Sequence, residues 1–461
     1  MLIDAIDDTI AAISTAPGEG AVGIVRLSGP RALKVAGALF VGKSKKRVTG
    51  FKTYTLHYGR IVHSGQILDE VILAVMRSPH SYTREDVVEI NCHGGVVALR
   101  KILNAALACG CRLASPGEFT RRAFLNGRID LAQAEAVIDL IRAKTDSALD
   151  ISLDQLRGGL SREINALRRG ILKELSSLEA YIDFPEEDTG AGNRLRNTLK
   201  GLRKIADALK EILDYSSAGR ILRDGLRVVI CGRPNVGKSS LLNALIKSRR
   251  SIVTHIPGTT RDAIEETVDL NGVPVRLVDT AGILKPRNII EREAVRRSNR
   301  HILEADLVLL VFDGSQKLLA EDEKLIRQTR GRPVVAVINK IDLPLRIDRS
   351  KIKTIFGSFI GVSAKTSKHL IQLKQAIGHA AFKDCRVARE HILVSNLRHI
   401  ESLACARKLV LEAQDCLGKK MPEELAAQGL REAVVLLDGI LGKSFTEDLL
   451  DRIFSQFCIG K

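Results

Sequence analysis

Residues 232–239 read GRPNVGKS, between an apolar run at 227–231 (RVVIC) and an amphipathic run at 240–246 (SLLNALI). A strand, a glycine-containing loop and a helix in that order make a phosphate cradle. Backbone N–H groups of the loop and the positive end of the helix surround a polyphosphate. Lys238 would neutralise the outer phosphates and the Ser239 hydroxyl would hold Mg²⁺. Residues 37–44 (GALFVGKS) fit the same pattern. They follow a helix-like segment, however, and run into Lys45, Lys46 and Arg47 where an apolar helix should open, so they read as a chance match.

Working outward, residues 225–382 alternate strands and helices as a parallel-sheet α/β domain should. Three further signals fall at the ends of expected strands, where such sheets bind ligands. Asp279, Thr280, Ala281 and Gly282 (DTAG) follow residues 273–278; the aspartate would orient Mg²⁺ through water and the Gly282 N–H would sense a γ-phosphate. Asn339, Lys340, Ile341 and Asp342 (NKID) follow 333–338, and the Asp342 carboxylate can accept hydrogen bonds from guanine N1 and N2, which adenine cannot offer. Ser363, Ala364 and Lys365 would close the base pocket. Residues 254–262 (THIPGTTRD) form a switch-like loop whose Thr260 would complete the metal shell in the triphosphate state. The order of the signals reads as a GTPase. The residues expected at the nucleotide are Asn235, Val236, Gly237, Lys238, Ser239 and Ser240; Thr254, His255, Ile256, Pro257, Gly258, Thr259 and Thr260; the DTAG residues; Asn339, Lys340 and Asp342; and Ser363, Ala364 and Lys365. Ras-like GTPases place a water-orienting glutamine directly after DTAG. Here that position is Ile283, and Glu291 is the nearest plausible carboxylate, although an acidic residue at a helix start is an equally ordinary role for it.

Flanking segments set the domain plan. Residues 1–125 read as α+β, with strands at 9–14, 21–27, 70–76 and 87–90 and helices near 30–40 and 96–109. His93, in CHGG, could serve as a base but fits a turn as well. From 126 to 222 the period becomes helical. Leu156, Leu160, Ile164, Leu167, Ile171, Leu175, Leu178 and Ile182 form one stripe, ended by Phe184-Pro185. Leu195, Leu199, Leu202, Ile205, Leu209 and Ile212 form a second, antiparallel to it. Their partners are expected in residues 385–461, where Leu397, Ile400 and Leu403, then Leu430, Val434, Leu437 and Leu441, repeat the pattern. The fold class is therefore multidomain: an N-terminal α+β domain, a discontinuous α-helical domain, and an inserted P-loop G domain entered through residues 216–224.

Composition agrees. The 461-residue chain is 45% apolar, enough for several cores, and its formal net charge of +17 points to a polyanion such as nucleic acid. Trp is absent and aromatics are 4%, so phosphate contacts rather than base stacking are the expected mode. Eight cysteines without a CxxC pair read as reduced thiols. The acidic start MLIDAIDD and the lack of a long apolar run read as a soluble, cytoplasmic protein with no membrane partner.

The G-box series and the terminal Phe457-Cys458-Ile459-Gly460-Lys461 resemble the MnmE (TrmE) family of tRNA-modification GTPases. So do DTIAAISTAPGEGAVGIVRLSG at 8–29, EDVVEINCHGG at 85–95 and PGEFTRRAFLNGRIDLAQAEAV at 116–137. The resemblance covers the whole chain. It implies a folate-binding N-terminal domain that also forms a homodimer, and a heterotetramer with an FAD-dependent, MnmG-like partner. That complex acts on tRNA, adding a carboxymethylaminomethyl or aminomethyl group to C5 of the wobble uridine. A tetrahydrofolate (5-formyl or 5,10-methylene) is the implied one-carbon donor. By motif, Arg26, Glu89, Arg128 and Lys461 would contact folate. The family's hydrolysis resembles that of potassium-activated GTPases, which implies K⁺ held by Asn235, Thr254, Ile256 and Thr259, Mg²⁺ held by Ser239 and Thr260, and Glu291 orienting the attacking water. Leu284 departs from the arginine that relatives often carry, which puts any contact from that side chain in doubt. Cys458 can be read as a nucleophile or as part of the tail that places Lys461. A competing reading is an RNA-binding or ribosome-assembly switch GTPase, and a third is a dynamin-type membrane GTPase.

Overall fold

Why the first expected strands pair as they do follows from their alternation. In β6 (Val87–Gly94) Val88, Ile90 and Cys92 point inward while Glu89, Asn91 and His93 take the other face. The computed structural model describes residues 8–43, 46–183, 191–247, 265–270, 272–279, 301–381 and 393–461; for 191–194, 247, 265, 266, 279 and 381 it describes the backbone alone. The chain divides into two units. One combines Met1–Ile138, Gln155–Ser161 and Asp438–Lys461; the other combines Asp139–Asp154 with Arg162–Leu437.

The first unit is built on a seven-stranded sheet of order β3-β4-β5-β6-β2-β1-β7. Its strands are β1 (Ile10–Ile13), β2 (Gly20–Ser28), β3 (Phe40–Gly42), β4 (Thr55–His63), β5 (Gln66–Met76), β6 and β7 (Arg112–Leu113). Helices α1 (Ala32–Leu39) and α2 (Val96–Ala108) cover one face, and Val25, Leu27, Leu73, Val75 and Ile90 pack with Leu33, Leu39, Leu99 and Ile102. The chance P-loop match is resolved here: Gly37 lies inside α1 and Phe40 opens β3, so no phosphate loop forms. At the β1 end, α3 (Glu118–Leu125) brings Phe119 onto Ile10 and Ala12. Phe124 and, from α4 (Leu131–Arg142), Leu131 meet Leu450, Phe454 and Phe457 of the C-terminal segment. A fully buried Arg122 holds this corner, with Nη2 2.5 Å from Asp8 and 2.9 Å from Glu118, and Nη1 3.1 Å from Glu85.

The second unit contains helices and an α/β sheet. The stripe expected as one helix from Leu156 is two. Helix α5 (Asp146–Leu156) ends and α6 (Gly159–Asp183) begins after Gly158, whose φ of +81° a side chain would strain. Helix α7 (Ala191–Asp214) runs antiparallel to α6, with Gly170 against Ile205 and Gly201 against Glu174. The entry segment is itself a helix, α8 (Ser216–Asp224), whose Ala218 and Leu222 pack on Leu393.

The sheet has the order β13-β12-β11-β8-β10-β9. It comprises β8 (Leu226–Cys231), β9 (Glu265–Leu270), β10 (Val273–Asp279), β11 (Leu307–Asp313), β12 (Val334–Asn339) and β13 (Ile360–Gly361). All neighbours are parallel except β9 on β10. Both faces are covered: Val228 and Ile230 pack with Leu241 and Leu373, while Val229 and Cys231 pack with Ile326 and Ile352. From β8 the chain builds β9 and β10 on one side and β11 to β13 on the other, which opens a crevice beyond the carboxyl ends of β8 and β11. No helix among the described residues is long and apolar enough to cross a membrane.

Candidate functional site

Residues 232–237 leave β8 in that crevice and lead into α9 (Lys238–Lys247). Asn235 at φ +66° and Gly237 at φ +95° curl the backbone so that successive N–H groups face one hollow, the geometry of an anion nest. A Cβ on Gly237 would collide with the Asn339 amide nitrogen, so glycine is required by space as well as by φ. Lys238 is 4% exposed; its ammonium donates to the carbonyls of Gly232 at 2.9 Å and Arg233 at 2.7 Å, inside its own loop.

NKID and the 363–365 turn meet the loop. Buried Asn339 donates through Nδ2 to the Val236 carbonyl at 2.9 Å and accepts from the Ala364 amide at 3.0 Å. Lys340, itself at φ +64°, donates to the Asn235 carbonyl and to Asp313 Oδ2, each at 2.7 Å. Burial pushes the Asp313 carboxyl up, but Lys340 and the Ser315 hydroxyl and amide outweigh it and hold it below the usual carboxylate range. Asp342 is exposed; the Ser363 hydroxyl first, then its own N–H and the Lys365 and Lys340 charges, keep its carboxyl low and ionised. An ionised, accessible acceptor is what a guanine N1/N2 edge requires.

Asp279 ends β10 opposite Ile230, two residues before the cradle. Its side chain, with Thr280, Ala281, Gly282, Thr254, His255, Ile256, Pro257, Gly258, Thr259, Thr260, Ile283, Leu284 and Glu291, lies outside the described residues. Among the described residues no group of His, Cys, Asp and Glu could hold a metal. The hydroxyl and amide oxygens of Ser239 and Asn235 are hard donors that suit Mg²⁺ and K⁺. Two residues of this neighbourhood escaped the sequence reading. Asp313 could have been found by asking which acid ends β11. Arg233, whose Nε lies 2.8 Å from Asp322 Oδ2 with both side chains buried, falls inside GRPNVGKS at a position the phosphate-loop pattern leaves open.

A second site lies in the first unit. Arg26 and Glu89 are register partners on β2 and β6 with Nε 2.8 Å from Oε1. The Arg26 guanidinium stands 5.6 Å over the Phe119 ring and 5.9 Å over Tyr82, and Arg128 stands 4.6 Å over Tyr82. The C-terminal tail completes it. The Gly460 carbonyl accepts from Ser14 Oγ at 3.1 Å and Arg26 Nη1 at 3.3 Å, and the Lys461 carbonyl accepts from the Phe119 amide at 3.1 Å. Gly460, at φ +94°, sits where a Cβ would overlap the Ile13 carbonyl. Arg26, Glu89, Arg128 and the tail thus converge, and Tyr82 and Phe119 are members that no motif announced. His93 stands apart: exposed, it pairs with Asp69 at 2.7 Å.

Comparison with known proteins identifies the family of the chain. The model for the MnmE helical domain matches residues 131–458, and that for the GTP-binding protein TrmE N-terminus matches residues 9–128. The tRNA modification GTPase MnmE of Geobacillus thermodenitrificans is 48% identical over 458 residues, covering 98% of this chain and 99% of that protein. That of Clostridioides difficile is 45% identical over 462 residues, covering 99% and 100%. Similarity of that order along the whole of both chains, with the phosphate loop, the NKID anchor and the docked tail each formed, shows that this chain belongs to the MnmE family of tRNA modification GTPases.

Proposed function

We propose that the protein hydrolyses GTP in a K⁺-activated site and, with an FAD-dependent MnmG-like partner, adds a carboxymethylaminomethyl or aminomethyl group to C5 of the tRNA wobble uridine. The one-carbon unit comes from a tetrahydrofolate bound by Arg26, Glu89, Arg128 and Lys461. The observation that carries this reading is the convergence of those residues with Tyr82 beside the docked tail. Cations suit the folate glutamate, a carboxylate suits the pterin's N–H edge, and an aromatic ring offers a stacking surface.

In the G domain, Lys238 and the loop amides bind the phosphates, and Asp342 with Ser363, Ala364 and Lys365 selects guanine. Mg²⁺ would be held by Ser239 and Thr260, and K⁺ by Asn235, Thr254, Thr259 and the Ile256 carbonyl; bound cations neutralise charge gathering on the phosphate oxygens. Glu291 orients the water that attacks the γ-phosphorus as the bond to the bridging oxygen breaks and GDP leaves. The domain division at 1–125, 126–222, 225–382 and 385–461, the homodimer, the heterotetramer and a cytoplasmic location belong to the same reading.

The test is GTP turnover in KCl against NaCl at matched ionic strength, with competition binding of 5-formyltetrahydrofolate on the same preparation. Strong K⁺ stimulation with folate binding is expected. Cation-indifferent turnover without folate binding would overturn the reading. Glu291→Ala should suppress turnover while GTP binding stays largely intact, whereas equal loss of both would remove its assigned role.

A further inference from the structure

Helices α6 and α7 carry a one-sided concentration of charge. Gly170 meets Ile205 and Gly201 meets Glu174, so the two helices run antiparallel with those positions in the seam. At 100° per residue, Arg169 and Lys173 each sit one residue before a seam position of α6. Lys200 and Lys204 each sit one residue before a seam position of α7. For an antiparallel pair this turns all four to the same side, and Arg196, one turn before Lys200, joins them. All five are exposed, and Lys173 acts electrostatically on its neighbour Glu174.

The opposite side is occupied. Ala206 accepts from Arg407 Nε at 3.2 Å, and Glu179 pairs with Arg431 at 2.7 Å, so helices Leu397–Gly418 and Glu423–Leu441 pack there. The basic side is therefore the outer face of the bundle. Glu174 is held in the seam against Gly201, Asp207 lies on the basic side about one turn after Lys204, and Glu211 lies about two turns beyond Lys204. Along α7 the cations from Arg196 to Lys204 span about 12 Å, and α6 adds a parallel row. Five cations outnumber the acids on this side, and the excess positive charge costs stability through like-charge repulsion that a polyanion relieves.

We propose that this face, Arg169, Lys173, Arg196, Lys200 and Lys204, binds the phosphate backbone of tRNA and so holds the substrate on the helical bundle. The proposal rests on the tRNA reading of the family. Aromatic side chains are missing from the patch, which suits backbone contact without base readout.

The test uses the full-length protein and an unmodified tRNA transcript, with affinity measured between 50 and 200 mM KCl as roughly the useful range. The triple variant Lys173→Gln, Lys200→Gln, Lys204→Gln should flatten the slope of log affinity against log salt by about two to three, and weaken binding about tenfold or more at 100 mM. Basal GTP turnover without tRNA should not change. Lys→Arg at the same three positions should bind as the parent does. Single Lys200→Gln and Lys204→Gln variants should each lower the slope by about 0.7 to 0.9, which keeps the test usable if the triple variant folds poorly. Parent-like slope and affinity in the charge-neutral variants would overturn the proposal, including the case in which they lose an acidic protein partner instead. A parent protein that binds no tRNA would overturn both the patch and the tRNA reading.

Discussion

Asn339→Ala tests the claim that one buried amide organises the nucleotide site. Asn339 is 2% exposed and joins two loops, giving a hydrogen bond to the Val236 carbonyl at 2.9 Å and taking one from the Ala364 amide at 3.0 Å. Truncation removes both bonds and leaves the buried Val236 carbonyl and the half-buried Ala364 amide short of partners. Each orphan costs about 1–3 kcal/mol, and water admitted to the space offsets part of it, so the ordered arrangement loses about 2–4 kcal/mol. At 1.4 kcal/mol per decade, the binding-competent loop falls in population about 30- to 1000-fold relative to disordered alternatives. Apparent affinity falls with that population once the competent state becomes the minor one. Titration of fluorescent GTP and GDP analogues should show both weakened by a similar factor, because the loss precedes any contact with the γ-phosphate. Affinities within about threefold of the parent for both nucleotides would refute the reasoning, since the loops would then hold their shape without the bridge.

Asp342→Asn should leave that bridge intact and change base choice instead, weakening GTP and favouring xanthosine triphosphate in competition assays, because an amide can donate to the extra carbonyl. Arg122→Met should cost the first unit about 3–5 kcal/mol at neutral pH by stranding the buried Glu118 and the half-buried Glu85 and Asp8. Burial pushes Glu118 and Asp8 up, but the Arg112 and Arg122 guanidinium groups pull them further down, so both fold with lowered pKa. Their contribution is full above the ordinary values of 4.5 and 3.8 and disappears as pH falls through the lowered ones, so denaturant titrations should find the gap between parent and variant shrinking as pH drops below 3.8. Burial pushes the Cys92 and Cys111 thiols up to about 11, whereas Cys405 and Cys458 are exposed. Brief iodoacetamide treatment at pH 8 should label the exposed pair first by mass spectrometry. Gly460→Val should lift the tail from Ile13, lowering folate affinity while GTP binding is unchanged.

What could be read before folding follows from how far apart the cooperating groups are. A phosphate cradle needs successive backbone N–H groups and the first turn of one helix, so its residues must be contiguous, and 232–239 declared it with the strand and helix on either side. NKID and the 363–365 turn were legible for the same reason, each being a strand end that presents its own backbone. The strand β4 was not expected, because TLHYGRIVH mixes polar residues and Gly59 into an alternation whose outer face leaves Leu56 and Tyr58 exposed. The break at Gly158 was hidden because the leucine stripe keeps its spacing across a glycine that only a left-handed φ reveals. Asp313 completes the Lys340 anchor from a different strand, 27 residues away, and Tyr82 and Phe119 reach the second site from separate segments.

The tail is the limiting case. Ser14 and Gly460 are 446 residues apart, yet one hydrogen bond and one glycine-only approach to Ile13 join them. Nothing local in FCIGK requires this; only the β1–β2 edge and the corner built around Arg122 supply a surface that fits it. A contact between chain ends cannot form until everything that shapes that surface has folded, because closing so long a loop is costly until other contacts have drawn the ends together. Docking of the tail therefore reports completed assembly of the first unit. A site that uses Lys461 is thereby made only in the finished fold, while the phosphate loop needs little more than β8, α9 and the strands beside them. The two sites thus depend on the chain at different ranges, and damage to the Arg122 corner should silence the tail site well before it reaches the nucleotide site.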